Sequence, residues 1–212
     1  MYNMIYSFFG LNKIIFVFIN KLNKFGLLSY ALEIFSRLFF IGNFAFYYLI
    51  MCLHCYYKLK SSPQRNRFFL IYNNLVKAGI CYTLFGFTCA ALKFSINLPR
   101  PFCSLSSIEF STVVDTVNER CLSAFPSAHI GIAIIISYYL WPHLKKYQQL
   151  IICLLLPAVA ISRITLAMHY PADLIYGSII ASTLILLSNT LVSYLKNNII
   201  KSVGNFIFKK IF

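Results

Sequence analysis

The stretch LIICLLLPAVAISRITLAMHYPADLIYGSIIASTLILLSNTLVSYL, Leu150–Leu195, decides the class of fold. It holds two apolar runs, from about Leu150 to Met168 and from Pro171 to near Leu195. Ser162, Arg163, His169 and Asp173 gather where the two runs meet. Each run is too long for a strand, and neither alternates apolar with polar residues. A membrane span needs about 20 predominantly apolar residues, and both runs supply them. The reading is two transmembrane helices joined by a short turn, with ionisable side chains at the joint.

Three further runs resemble these two: about Leu38 to Tyr57, about Phe68 to Ile96, and from after Pro126 to near Trp141. The expected fold is therefore all-α, a polytopic transmembrane bundle of five spans, with a sixth as the alternative. That alternative lies in residues 4–20, which are apolar but broken by Ser7, Gly10, Asn12 and Lys13. Asn3, Ser7, Gly10, Lys13, Asn20 and Lys24 recur roughly on one helical face, which suits an amphipathic helix lying in the membrane interface. Lys13, Lys21 and Lys24 favour a span instead. Both readings stay open. No internal repeat interrupts the chain, so residues 1–212 read as one membrane domain. Within it, 1–36 is the interfacial or first-span segment, 38–195 the bundle and 196–212 a basic tail.

Composition agrees. Hydrophobic residues make up 59% of the 212 and charged residues 11%, with a mean hydropathy of +0.73. A soluble domain carries roughly 25% charged residues, so a water-soluble enzyme, a disordered chain and a small disulfide-stapled module are excluded. The net charge of +14 does not point to nucleic acid, because the basic residues fall in short runs between apolar stretches. The runs at 58–67, 142–149 and 196–212 mark one side as cytoplasmic. The segments 97–125 and 163–171 then lie outside, and Glu109, Asp115, Glu119 and Asp173 lie with them. No cleavable signal is expected, since the start lacks a basic n-region. Of seven cysteines, Cys103 and Cys121 share the long polar loop. They can pair if that loop faces an oxidising compartment. Cys52 and Cys55 read as helical thiols, not zinc ligands.

Ionisable residues at membrane depth are costly and usually functional. Here Lys93, Arg100, His129, Arg163, His169 and Asp173 all fall near the outer ends of spans. If the spans bundle, these side chains meet in one pocket. Lys93, Arg100 and Arg163 would repel one another unless an anion sat between them, and arginine offers planar donors suited to phosphate. Ser127 follows Pro126 and opens a helix. Its hydroxyl and the first-turn amides form an anion site there. Asp173 is four residues after His169 and can accept a hydrogen bond from one imidazole nitrogen, leaving the other free as a nucleophile. His129 is left for proton transfer. A lone lysine at a span end usually snorkels, and His54 and His143 have no such partners. The functional case rests on the joint pattern.

That pattern, Lys93-x6-Arg100-Pro101, Pro126-Ser127-Ala128-His129 and Ser162-Arg163-x5-His169-x3-Asp173, resembles the three motifs of the type 2 phosphatidic acid phosphatase (PAP2) superfamily. The motifs occupy 93–101, 126–129 and 162–173. One departure stands out: Ala128 takes the place of the glycine in the usual P-S-G-H. A backbone N–H survives that change, and a helix N-terminus does not need positive φ. The resemblance implies an all-helical, membrane-embedded core. It implies that His169 attacks phosphorus to form a phosphohistidine, Asp173 orients it, and His129 protonates the leaving group and then activates water. Lys93, Arg100, Ser127, the Ala128 amide and Arg163 would hold the phosphoryl oxygens. No metal and no cofactor are implied, since the cations carry the charge that Mg²⁺ carries elsewhere.

The expected activity is metal-independent hydrolysis of a lipid phosphate or pyrophosphate. The expected setting is the outer face of a bacterial inner membrane. Undecaprenyl pyrophosphate, lipid A, phosphatidylglycerophosphate and phosphatidic acid are the candidates, with the loop 102–125 as lid and headgroup selector. A lipid-to-lipid phosphotransferase using the same phosphohistidine is the nearest alternative. An anion transporter is more distant, because the polar residues stay at the outer ends and form no central path.

Overall fold

The computed structural model describes residues 6–24, 26–60, 64–106, 109–111, 119–195 and 199–211. Asn3, Asp115, Lys196 and much of the expected lid (107–108 and 112–118) lie outside the described residues. Nine α-helices are described, joined by short 3-10 turns. They are α1 (Leu11–Asn20), α2 (Gly26–Arg37), α3 (Asn43–Lys60), α4 (Arg65–Ile96), α5 (Pro101–Ser104), α6 (Ala128–Leu140), α7 (Lys146–Thr165), α8 (Pro171–Leu195) and α9 (Lys201–Ile211). No strand occurs among the described residues.

Three helices are long and apolar enough to cross a membrane: the one that begins at Arg65, α7 and α8. All five expected spans are helical, but two fall short of that measure. α6 has 13 residues, or about 20 Å at 1.5 Å per residue against a hydrocarbon core of about 30 Å. The chain turns at Ser127 before it and at Pro142 after it. α3 has 18 residues, but its tyrosines, His54, Lys58 and Lys60 dilute its hydropathy. The alternative sixth span is not among these three, since α1 has 10 residues. Its polarity also differs from that of a helix with its polar face in water. Asn12, Phe16 and Asn20 are buried against the bundle, while Phe9, Ile14 and Phe18 are exposed. Of the expected polar face, Gly10 and Lys13 are exposed, but Asn20 turns inward with Asn12 and Phe16.

The bundle's centre is the packing of α8 against both α6 and α4. Phe85 of α4, Ile132 and Ile135 of α6, and Ala181 and Ile185 of α8 are buried there together. A second cluster joins Phe16 of α1, Ala133 of α6, Val159 and Ile164 of α7, and Leu174 of α8. Gly131 sets how closely α6 meets α4, since a Cβ there would overlap the Phe85 ring. The outward faces of α7 and α8 carry Ile151, Leu154, Leu186 and Leu187 exposed. Helices satisfy their own backbone groups, so lipid accepts such a surface where water would penalise it.

The two ends of the bundle differ. At one end Arg65 bonds Asn205 of α9 at 2.7 Å and Phe68 packs on Phe208, which gathers basic segments. At the other end Arg100 N–H donates to Cys121 O at 2.9 Å and Ala124 N–H to Leu98 O at 3.1 Å. Cys103 and Cys121 are joined there by a disulfide, with Cα atoms 5.8 Å apart and 18 positions between them in sequence.

That crosslink yields a test. Replacing both cysteines by serine should cost about 3 kcal/mol, the scale for closing a loop of this length. The readout is a lower thermal midpoint in detergent, reproduced in the parent protein by dithiothreitol. Equal midpoints would contradict the bond.

Candidate active site

Each segment of the site is held by local chemistry that the sequence encodes. α4 ends at Asn97, which adopts a left-handed conformation (φ 49) and turns the chain just after Lys93. Pro101 occupies the first turn of α5, which keeps Arg100 extended at its N-cap. Ser127 is the extended N-cap of α6, yet its hydroxyl makes no capping bond.

The turn between α7 and α8 is a Schellman motif. Ala167 takes the left-handed position (φ 56). The Ala167 amide donates to Ile164 O, and the Met168 and His169 amides both donate to Arg163 O, at 3.1 and 3.2 Å. This satisfies carbonyls that a helix end leaves open, and it ties the backbone of His169 to that of Arg163. α8 then starts at Pro171. The Asp173 carboxylate reaches back to the Tyr170 amide (Oδ2, 2.8 Å), half of a capping box.

Six of the eight residues expected from sequence line one cavity of about 330 Å³: Lys93, Arg100, Ala128, His129, Arg163 and His169. The other two, Ser127 and Asp173, lie behind this wall, fully buried and joined by a Ser127 N–H to Asp173 O bond of 3.1 Å. A neighbouring cavity of about 460 Å³ shares Arg100, His129 and Arg163 and adds Glu33 and Glu119.

The polar atoms divide into engaged and open ones. Lys93 Nζ donates to Ser123 O at 2.6 Å. Arg163 donates to the Ser36 hydroxyl at 2.7 Å. Arg100 pairs with Glu119 and touches Met168 Sδ at 3.0 Å. In contrast, Arg100 Nε, Arg163 Nε, Ser127 Oγ and His169 Nδ1 are buried without a hydrogen-bond partner. Buried polar groups in this state are uncommon and costly. Three of the four can donate toward an anion.

One expected contact is not made. His169 Nδ1 stands 3.6 Å from Asp173 Oδ2, beyond hydrogen-bond range. Asp173 is instead held by the Tyr170 amide and, at 2.7 Å, by the hydroxyl of Tyr6. Asp173 thus sits where it can orient His169, but its bonds come from elsewhere. Burial, and then the nearby charges of Arg163, Lys93 and Arg100, push the His169 imidazole well below its usual range, so it is neutral at pH 7. The site thus sets a neutral imidazole beside three cations.

Several residues of the site carry no signal in the sequence. Tyr6, Asn12 and Asn20 come from the N-terminal segment, Ser36 from α2 and Glu119 from the polar loop. Gly177 is the one with a physical clue, being a glycine one turn after Asp173 in an apolar helix. A Cβ at Gly177 would lie 2.6 Å from Ser127 O. Glycine there is what lets α8 approach the start of α6. No group of three or more His, Cys, Asp or Glu side chains is arranged to hold a metal among the described residues.

A family model described as the PAP2 superfamily matches residues 74–197, which include every residue singled out above from Lys93 to Gly177. No curated protein matches the chain. Among solved structures, the crystal structure of Aquifex aeolicus LpxE is similar, with a TM-score of 0.65 and 20% identity. The match covers 84% of this chain and 94% of that one. At this identity the likeness is one of fold.

The close approach at Gly177 is testable. Gly177→Ala should force α8 away from Ser127 and lower stability by about 1–3 kcal/mol, the usual cost of overpacking. Thermal unfolding in detergent measures it, and a midpoint equal to the parent's would show that the contact relaxes freely.

Proposed function

We infer the activity of this chain from its family: it belongs to the PAP2 superfamily. The reading is a membrane phosphatase that removes a phosphoryl group from a lipid. The observation that carries it is the meeting of Lys93, Arg100, Arg163, His129 and His169, scattered over 77 positions of sequence (93 to 169), in one cavity. Cations so close in a poorly hydrated site repel one another, and a phosphate between them removes that cost.

The placement supports the following chemistry. Asp173 faces Nδ1 of His169, so Nε2 is the attacking atom. Its lone pair forms a bond to phosphorus while the bond from phosphorus to the lipid oxygen breaks. With the bound phosphate offsetting the three cations, His129 can hold the proton that the departing alkoxide or phosphate takes up. Now neutral, His129 accepts a proton from water, whose oxygen attacks the phosphohistidine. The P–N bond breaks, inorganic phosphate leaves and His169 is restored. Arg100, Arg163, Lys93, the Ser127 hydroxyl and the Ala128 amide stabilise the charge on the equatorial oxygens through both steps. That Arg100 Nε, Arg163 Nε and the Ser127 hydroxyl are buried without a partner supports such a role.

The substrate class is a lipid phosphate or pyrophosphate: undecaprenyl pyrophosphate, lipid A, phosphatidylglycerophosphate or phosphatidic acid. Two observations favour a site on the outer, periplasmic face of a bacterial inner membrane. The basic segments gather at the opposite end of the bundle, which fits the positive-inside rule. The Cys103–Cys121 disulfide lies at the site end, where an oxidising compartment would preserve it.

The deciding experiment is a phosphate-release screen of the purified protein over these four lipids, with His169→Ala beside it. Release from at least one lipid, lost by more than about a thousandfold in the variant, is the expected result for removal of a nucleophile. Near-normal release from His169→Ala would refute the assignment. A labelled second lipid in place of free phosphate would make the protein a phosphotransferase.

The depressed His169 also fixes a pH dependence. The free enzyme needs this imidazole neutral, so the acid limb of kcat/KM should lie below pH 6.5, the ordinary histidine value. The same group acts on stability. Unfolded, it takes up a proton as pH falls through about 6.5; folded, it resists until the pH is lower, so its contribution to stability is lost as acid is added. An acid limb above pH 6.5 would contradict this environment.

A further inference from the structure

We propose that the N-terminal segment Tyr6–Asn20 is a working part of the site, in which Tyr6 is a positioning residue that acts on His169 through Asp173. The proposal rests on the phosphatase reading above. The segment lies outside residues 74–197, the stretch matched by the family model.

Its contacts are specific. Tyr6 donates its hydroxyl to Asp173 Oδ1 at 2.7 Å across 167 positions of sequence. Its ring is held edge-on by Phe125 and Tyr170, with centroids 6.3 and 6.5 Å away, so the hydroxyl is aimed by packing. Asn12 Oδ1 accepts the Ala172 amide at 2.9 Å, capping the start of α8. Asn20 Nδ2 donates to Ile164 O at 3.3 Å and Thr165 O at 2.8 Å, capping the end of α7. Between the two asparagines Phe16, fully buried, packs its ring 5.2 Å from that of Tyr170.

Helix ends leave backbone donors and acceptors that must find partners when buried. In this protein the local bonds of the α7–α8 turn are supplemented on both sides by partners from one distant segment. That turn carries Arg163, His169 and Asp173. The strap therefore sets the geometry of the residues that bind and attack phosphate.

Tyr6 goes further than the asparagines, because its partner faces the nucleophile. With Oδ1 held by Tyr6 and Oδ2 by the Tyr170 amide, the carboxylate has one orientation toward His169 Nδ1. Lys93 and Arg100 act on Asp173 through space, and Arg163, Lys93, Arg100 and His129 act on His169. Tyr6 is the side-chain donor that draws charge from the carboxylate on the side away from the imidazole. Without it, more of that charge stabilises the protonated imidazole, so His169 gains its proton at higher pH.

The test uses the full chain in detergent micelles containing phosphatidic acid, or whichever lipid the screen above selects. Tyr6→Phe keeps the ring and removes the hydroxyl. We expect kcat to fall about tenfold, the scale of a lost hydrogen bond to a charged group, with KM within about twofold because binding groups are untouched. The acid limb of kcat/KM should rise by about half a pH unit or more. Asn12→Ala removes a cap but neither partner of Asp173. It should lower the thermal midpoint and leave the acid limb in place. Parental kcat and pH profile in Tyr6→Phe would overturn the proposal. So would an equal shift of the acid limb in Asn12→Ala, which would mark general loosening. If the parent protein itself releases no phosphate from any lipid, the phosphatase reading fails and this proposal falls with it.

Discussion

Mutual repulsion among Lys93, Arg100 and Arg163 is the constraint around which the site is organised. Cations pressed together in a medium of low polarisability cost free energy that neighbouring contacts must offset. Each one is offset in part. Lys93 has a carbonyl, Arg163 a hydroxyl, and Arg100 a carboxylate and a thioether. Among the described residues none of the three has a buried carboxylate as its ion-pair partner, since Glu119 is partly exposed. The residual positive field depresses protonation of His169 and favours an incoming dianion. On the proposed function, one electrostatic imbalance would serve both phosphate binding and the attack by His169.

Maintaining that imbalance requires rigidity, and backbone geometry supplies it. The left-handed Ala167 folds the end of α7 back so that Arg163 O accepts the His169 amide. The Ser127 amide donates to Asp173 O, and Gly177 removes the side chain that would keep those helices apart. The arginine, the histidine and the serine are therefore linked through main-chain bonds, whose geometry varies less than that of long side chains. The strap Tyr6–Asn20 completes this by capping the two helix ends that flank His169.

The membrane shapes the fold in a complementary way. α7 and α8 expose aliphatic side chains outward and meet the other helices through small or well-packed residues such as Ala133, Gly131 and Ala181. Polar chemistry is confined to one end, where the disulfide and backbone bonds join the 98–104 and 119–124 segments. The α6 helix starts beside the cavity, where Ala128 and His129 line the wall and the Ser127 hydroxyl behind it has no partner.

The amino-acid sequence by itself determined the helical class, the presence of apolar spans and six of the residues that line the cavity. Run length, absence of alternation and the costliness of charge in lipid are local properties, readable one segment at a time. It left open whether Cys103 and Cys121 pair, and whether residues 4–20 span the membrane or lie in its interface. Only the tertiary structure decided that Asn12 and Asn20 turn toward the bundle, that Tyr6 holds Asp173, and that Asp173 stops short of a bond to His169. These depend on contacts between residues more than a hundred positions apart. Their physical cause is the buried helix ends at the α7–α8 turn, whose unmet backbone groups select polar partners from any part of the chain that can reach them.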